Sequence, residues 1–188
     1  MRIFAAVLLP EEVAEDLEGF VEPRRQVDGP RWVPPSQWHL TVAFAPSVPE
    51  RAIEPLLEAV AVATGRLTPT PVSLAGGGCF PDVTRARVLY AGVRRGEGLA
   101  PLAASVRTAC SVVGAAPDGG PFVPHVTLAR FGRPVEATRW LRVLDSYAGP
   151  SWTVDELAVV QSHLPRERGR RPRHEVLARL PIGSLPAS

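Results

Sequence analysis

Lysine is missing from this chain: all 21 basic residues among its 188 are arginine. Reactions that need a lysine amine, such as nucleotidyl-lysine ligation, Schiff-base formation and Walker-A phosphate transfer, are therefore excluded. Cysteine is scarce too. Cys79 and Cys110 are the only two, and their spacing fits neither a zinc ribbon nor a redox pair, so both read as reduced structural thiols. No apolar run is long enough to span a bilayer. The apolar opening through Leu9 meets Pro10-Glu11-Glu12 without a small-residue cleavage site, which favours a first buried strand over a secretory leader, and a cytoplasmic location. Net charge is only +2, so no global field calls for a polyanionic partner.

The remainder is ordinary globular composition, with 45% apolar and 21% charged residues. The length suits one compact domain or two small lobes sharing a core, and 1–188 is read as a single bilobal domain. Residues 2–9 read as a strand. Pro10 then opens a helix with Glu11 and Glu12 at its positive end and Val13, Leu17 and Phe20 or Val21 on one face. A loop from Pro23 to Pro35 precedes a strand at 38–45, and Pro46 and Pro49 end it. The next helix turns Leu56, Leu57 and Val60 inward, with Pro55 in its first turn. Strands at 70–75 and 86–93 flank Gly76-Gly77-Gly78, read as a flexible turn because no phosphate-cradling helix start follows. A helix at 98–114, a strand at 124–131, a helix at 135–147 and strands at 153–161 and 174–180 complete the pattern.

Within that pattern one tetrad occurs twice, as His39-Leu40-Thr41-Val42 and His125-Val126-Thr127-Leu128. The element order, βαβαββ then αβαββ, repeats with only an opening strand missing from the second part. The tetrads begin 86 residues apart, at 39 and 125, near half the length of the 188-residue chain, as an internal duplication would give. Several strands are joined by links too short for parallel crossovers. The expected fold is therefore α+β: two pseudo-symmetric lobes of antiparallel sheet, helices outside, with the tetrad strands facing a central cleft.

In a strand, His and Thr two apart share a face, while Leu40 or Val126 between them points into the core. A lone His-x-Thr is ordinarily structural. Two copies at matching places set two imidazoles and two hydroxyls about one small space. Imidazole, with an unperturbed pKa of about 6.5, serves as acid or base near neutrality. Opening a strained cyclic phosphodiester needs both: a base for the attacking water and an acid for the departing ribose oxygen. Thr41 and Thr127 would donate to the phosphate oxygens, where charge builds. Arg130, five residues beyond His125, is the nearest fixed cation. Its parity is wrong for the cleft face, so a bulge or strand end must turn it inward. Each motif supplies one histidine and no neighbouring carboxylate or thiol, which disfavours a metal site.

The two tetrads resemble the paired motifs of the 2H phosphoesterases, and most closely those of LigT-like RNA 2′,3′-cyclic phosphodiesterases, historically called 2′-5′ RNA ligases. The resemblance extends to Arg2-Ile3-Phe4-Ala5-Ala6, Arg31-Trp32-Val33, Phe80-Pro81, Arg87-Val88-Leu89-Tyr90 and Pro121-Phe122-Val123-Pro124, and runs through the second tetrad to Ala129-Arg130. It implies a cofactor-free and metal-free hydrolase that opens a terminal 2′,3′-cyclic phosphate of RNA or a nucleoside to the 2′-phosphomonoester. Weak ATP-independent ligation in reverse is implied as well. By the same resemblance His39 is the general acid and His125 the base; Thr41, Thr127 and Arg130 hold the phosphate; and Phe44 approaches the nucleobase. The protein is expected to act as a monomer. Two departures stand out: Ala45-Pro46 where relatives carry Leu-Gly, and His174 where many carry tyrosine.

Other residues read more plainly. His163 suits a polar strand end, Trp38 the core, and Trp32 packing rather than base stacking. The stretch from Arg166 to Arg173 holds five arginines and one acid, a solvated loop or a guide for an RNA backbone. Two alternatives stand beside the cyclic phosphodiesterase. One is a related enzyme for another small cyclic phosphate, which a substrate panel separates. The other is a non-catalytic RNA-binding module, which would bind RNA without either histidine.

Overall fold

The computed structural model describes residues 1–165 and 172–185. The opening apolar run forms β1 (Ile3–Leu8), buried from Ile3 to Val7. Helix α1 (Glu11–Val21) starts directly after Pro10, with Glu11 and Glu12 at its positive end and Val13, Leu17 and Val21 buried. A short strand, β2 (Pro30–Trp32), lies inside the expected loop and precedes β3 (His39–Ala45). There follow α2 (Ile53–Gly65), β4 (Thr70–Phe80), β5 (Ala86–Arg95), α3 (Leu99–Val112) and β6 (His125–Val135). The chain ends through α4 (Thr138–Leu144), β7 (Ala148–Val154), β8 (Glu156–His163) and β9 (Arg173–Pro181). Among the described residues no helix is long and apolar enough to cross a membrane.

All strand pairs are antiparallel, in the order β7-β4-β5-β6-β3-β1-β8-β9, with β2 added on β6. The halves β7-β4-β5-β6 and β3-β1-β8-β9 meet where β3 pairs β6, at Leu40 opposite Val126. The order reads the same from either end, with β6 matching β3, β5 matching β1, β4 matching β8 and β7 matching β9. This confirms the pseudo-symmetric α+β reading and amends its bookkeeping. No opening strand is missing from the second half, because β5 takes that place. Moreover, β4 follows α2 yet joins the second half, while β8 follows α4 and β7 yet joins the first. The lobes are interlocked by exchanged strands.

Two other expectations are corrected. Gly76-Gly77-Gly78 is no turn but the middle of β4. A Cβ at Gly77 would lie 2.4 Å from the Tyr90 carbonyl oxygen, and one at Gly78 2.3 Å from the Tyr90 hydroxyl. Glycine there lets β4 approach β5 closely. The single strand expected at 153–161 is two strands in different halves, β7 and β8, divided at Asp155. The preceding helix is correspondingly short, because residues from Ala148 onward pair with β4.

One face of β3 and β6 faces the helices. Leu40, Val126 and Leu128 are fully buried there, packed in one core with Leu56 and Val60 of α2 and Leu102 and Val106 of α3. Burying each such leucine contributes about 1.5–3 kcal/mol. This core fixes the register of the central pair, since a slip of one residue would turn the histidines into it. Cys79 and Cys110 are both free thiols.

Candidate active site

The Leu40–Val126 pair determines the arrangement on the opposite face. In antiparallel register, one step either way sets His39 across from Thr127 and Thr41 across from His125. All four side chains line one cleft of about 510 Å³. The approximate two-fold axis thus passes through the central pair, with a histidine and a threonine on each side.

The hydrogen bonding obeys the same symmetry. His39 Nδ1 lies 2.7 Å from the Gln37 carbonyl, and His125 Nδ1 lies 2.7 Å from the Val123 carbonyl. A carbonyl only accepts, so Nδ1 carries the proton in both rings and donates it. Nε2 is left as the free nitrogen of each imidazole, able to take or give a proton. The surroundings differ. His39 stacks on Phe4, with centroids 4.7 Å apart, and meets His174 edge-on at 5.5 Å. His125 lies against Phe80 and Tyr90, at 5.0 and 5.2 Å. Burial lowers the pKa of His39 to about 4, with the bond to Gln37 opposing and the positive fields of His174, His125 and Arg130 assisting. His125 is also lowered, by burial and then by Arg130 against the bond to Val123. Burial lowers His174 as well.

The parity problem at Arg130 is resolved by a bulge. Between Tyr90↔Thr127 and Leu89↔Ala129, β6 advances two residues while β5 advances one, so Leu128 is the extra residue. Leu128 and Ala129 are consecutively buried, and Arg130 emerges on the cleft face, lining the cavity. The same device stands in β3: the register passes from Ala6↔Thr41 to Ala5↔Ala43, leaving Val42 extra. Phe44 is thereby turned into the cleft. Phe44 and Arg130 are therefore symmetry counterparts, each five residues beyond its histidine and after its own bulge. The frame is symmetric while these two side chains are not, so the cleft has an aromatic position where its twin has a cation.

Every site residue expected from the sequence therefore lines this one cleft: His39, His125, Thr41, Thr127, Arg130 and Phe44. His174 joins them, whereas Pro46 is not among the lining residues. His163 stands apart at the surface, 3.0 Å from Glu175. Trp38 is buried, and Trp32 packs edge-on against Trp140 at 5.5 Å. Residues 166–171 of the arginine stretch lie outside the described residues. Arg2, Phe4, Gln37, Asp118 and Ser162 also line the cleft; Arg2 and Phe4 belong to the resemblance, but none of the five carries a site role in the sequence reading. Arg2 lies over the Phe44 ring, 5.1 Å from its centroid. The alternation Arg2-x-Phe4 in a strand beside the first tetrad was the available signal, masked by the apolar run around it. Among the described residues no three His, Cys, Asp or Glu side chains converge as a metal-holding group.

Comparison with known proteins agrees with this architecture. The family model described as the 2′-5′ RNA ligase superfamily matches residues 9–166. An RNA 2′,3′-cyclic phosphodiesterase of Thermus thermophilus is 35% identical over 171 residues, covering 87% of this chain and 83% of the relative. Another of that name, from Geobacillus stearothermophilus, is 31% identical over 157 residues. That alignment covers 82% of this chain, which spans about half (48%) of the Geobacillus protein. Among solved structures, E. coli LigT in apo form superposes with a TM-score of 0.76 at 26% identity, covering 96% of both chains. With its doubled tetrads, interlocked lobes and shared cleft, this chain belongs to the 2′-5′ RNA ligase superfamily.

Proposed function

We propose that this protein hydrolyses RNA or nucleoside 2′,3′-cyclic phosphates to 2′-phosphomonoesters by two-histidine acid–base catalysis. The observation that carries this reading is the pair of His–Thr units about one axis, each imidazole held through Nδ1 by the carbonyl two residues before it. The names of the relatives point to the same substrate class.

In the proposed reaction the cyclic phosphate lies between the two Nε2 atoms. His125 takes a proton from water as its oxygen bonds to phosphorus, and the P–O3′ bond breaks as His39 gives its proton to O3′. The products are a 2′-phosphomonoester and a free 3′-hydroxyl, and the proton gained by His125 balances the one lost by His39. Thr41 and Thr127 donate to the non-bridging oxygens while Arg130 neutralises their charge. Burial holds both histidines towards neutrality. An incoming phosphate reverses this at His39: its negative charge favours the imidazolium, so His39 acquires its proton with the substrate. A 5′-hydroxyl replacing water would give a 2′-5′ linkage with no ATP, which accommodates weak ligation.

The test is turnover of nucleoside 2′,3′-cyclic phosphates by wild type, His39→Ala and His125→Ala. Each substitution is expected to lower the rate by roughly 10²–10⁴. Near-wild-type rates in both variants would overturn the mechanism. RNA binding by the wild type that survives both substitutions, without turnover, would show a binding module instead.

A further inference from the structure

A second cavity, of about 400 Å³, opens beside the cleft and shares Thr41, Phe44, Asp118 and His125 with it. Its remaining walls include Phe80, Phe122 and Arg107. Three aromatic rings in a recess adjoining the phosphate position suit a planar nucleobase, because every base offers a π-face for stacking. Stacking alone is indifferent to base identity. The polar groups in the wall decide what else is read.

Asp118 stands at the junction of the two cavities. Its backbone N–H donates to the Phe44 carbonyl at 2.7 Å, which ties the loop to β3 beside the aromatic wall. Arg107 donates to the Gly120 carbonyl at 2.8 Å, fixing the same loop from α3. Among the described residues the Asp118 carboxylate takes part in no hydrogen bond or ion pair, so its oxygens remain free to accept from a ligand. An ionised carboxylate accepts and never donates.

From this we infer that Asp118 is a specificity-determining residue that makes guanine the preferred base. The inference rests on the cyclic phosphodiesterase reading above. The Watson–Crick edge of guanine carries two adjacent donors, N1–H and the 2-amino group, which match the two carboxylate oxygens. Adenine and cytosine each present one donor beside an acceptor. Uracil presents its single N3–H between two carbonyls, which a carboxylate repels. Arg107 in the same recess adds a cation suited to guanine O6.

The experiment measures kcat/KM for guanosine, inosine, adenosine, cytidine and uridine 2′,3′-cyclic phosphates with wild type, Asp118→Ala and Asp118→Asn. Inosine differs from guanosine only by the 2-amino group, so it isolates one of the two hydrogen bonds. A hydrogen bond to a charged group predicts a guanosine-to-inosine ratio of roughly ten- to a hundredfold in wild type, with uridine poorest. The ratio should fall towards one in Asp118→Ala and to an intermediate value in Asp118→Asn. A wild-type ratio near one, or a ratio unchanged in Asp118→Ala, would overturn the inference while leaving the proposed reaction intact. If wild type turns over none of the five, the reaction itself fails. Calorimetric affinities for guanosine and inosine 2′-monophosphate then decide the base preference by the same ratio.

Discussion

Acidification should unfold this protein partly through His39. The imidazole has its folded-state pKa lowered from 6.5 to about 4 by burial, so the unfolded chain binds the proton more readily than the folded one. A group lowered in this way stabilises the fold fully above 6.5 and loses its contribution as the pH falls through that value towards 4. At 1.36 kcal/mol per pKa unit, a drop of that size corresponds to about 3 kcal/mol. The perturbation is His39→Gln, which removes the titrating ring, and the assay is urea unfolding of both proteins from pH 7.5 to 4. His125 and His174 are lowered too, but they are present in both proteins and largely cancel in the difference. The stability of wild type relative to the variant should fall by about 3 kcal/mol as the pH drops across 6.5 to 4. A difference that stays flat across that window, or rises on acidification, would refute the burial argument.

Other outcomes follow from the same geometry. Arg130 makes no ion pair among the described residues, so Arg130→Ala should leave the urea midpoint unchanged. Its kcat/KM should nevertheless fall roughly ten- to a hundredfold through loss of a charge-assisted hydrogen bond to the phosphate. Leu40 is fully buried at the centre of the lobe junction, so Leu40→Ala should cost about 2–5 kcal/mol in urea unfolding. Inorganic phosphate binding at pH 5.5 should take up a proton as His39 ionises. Calorimetry in buffers of different ionisation enthalpy reads that uptake directly, and its absence would contradict the proposed loading of the acid.

The tetrads were legible because strand alternation is local: His39 and Thr41 face together whatever lies around them. Arg130 was legible only as a problem, since its parity conflicted with the cleft and demanded a bulge. The matching bulge at Val42, which brings Phe44 inward, followed the same five-residue spacing but carried no charge to draw notice. The exchange of β4 and β8 between halves was hidden, because strand partners depend on tertiary packing rather than local pattern. Gly76-Gly77-Gly78 misled for the same reason. Glycines there relieve contact with Tyr90, which only the folded pairing of β4 and β5 creates. Asp118 lies in a loop without periodicity, where no pattern marks one acid above another.

Regiochemistry tests the central claim most directly. The protein is incubated in EDTA with the four nucleoside 2′,3′-cyclic phosphates, and the products are resolved against authentic 2′- and 3′-monophosphates. The two-histidine account predicts turnover that persists in EDTA and yields the 2′-isomer, because His39 protonates O3′. Loss of turnover in EDTA, or the 3′-isomer as product, would contradict it.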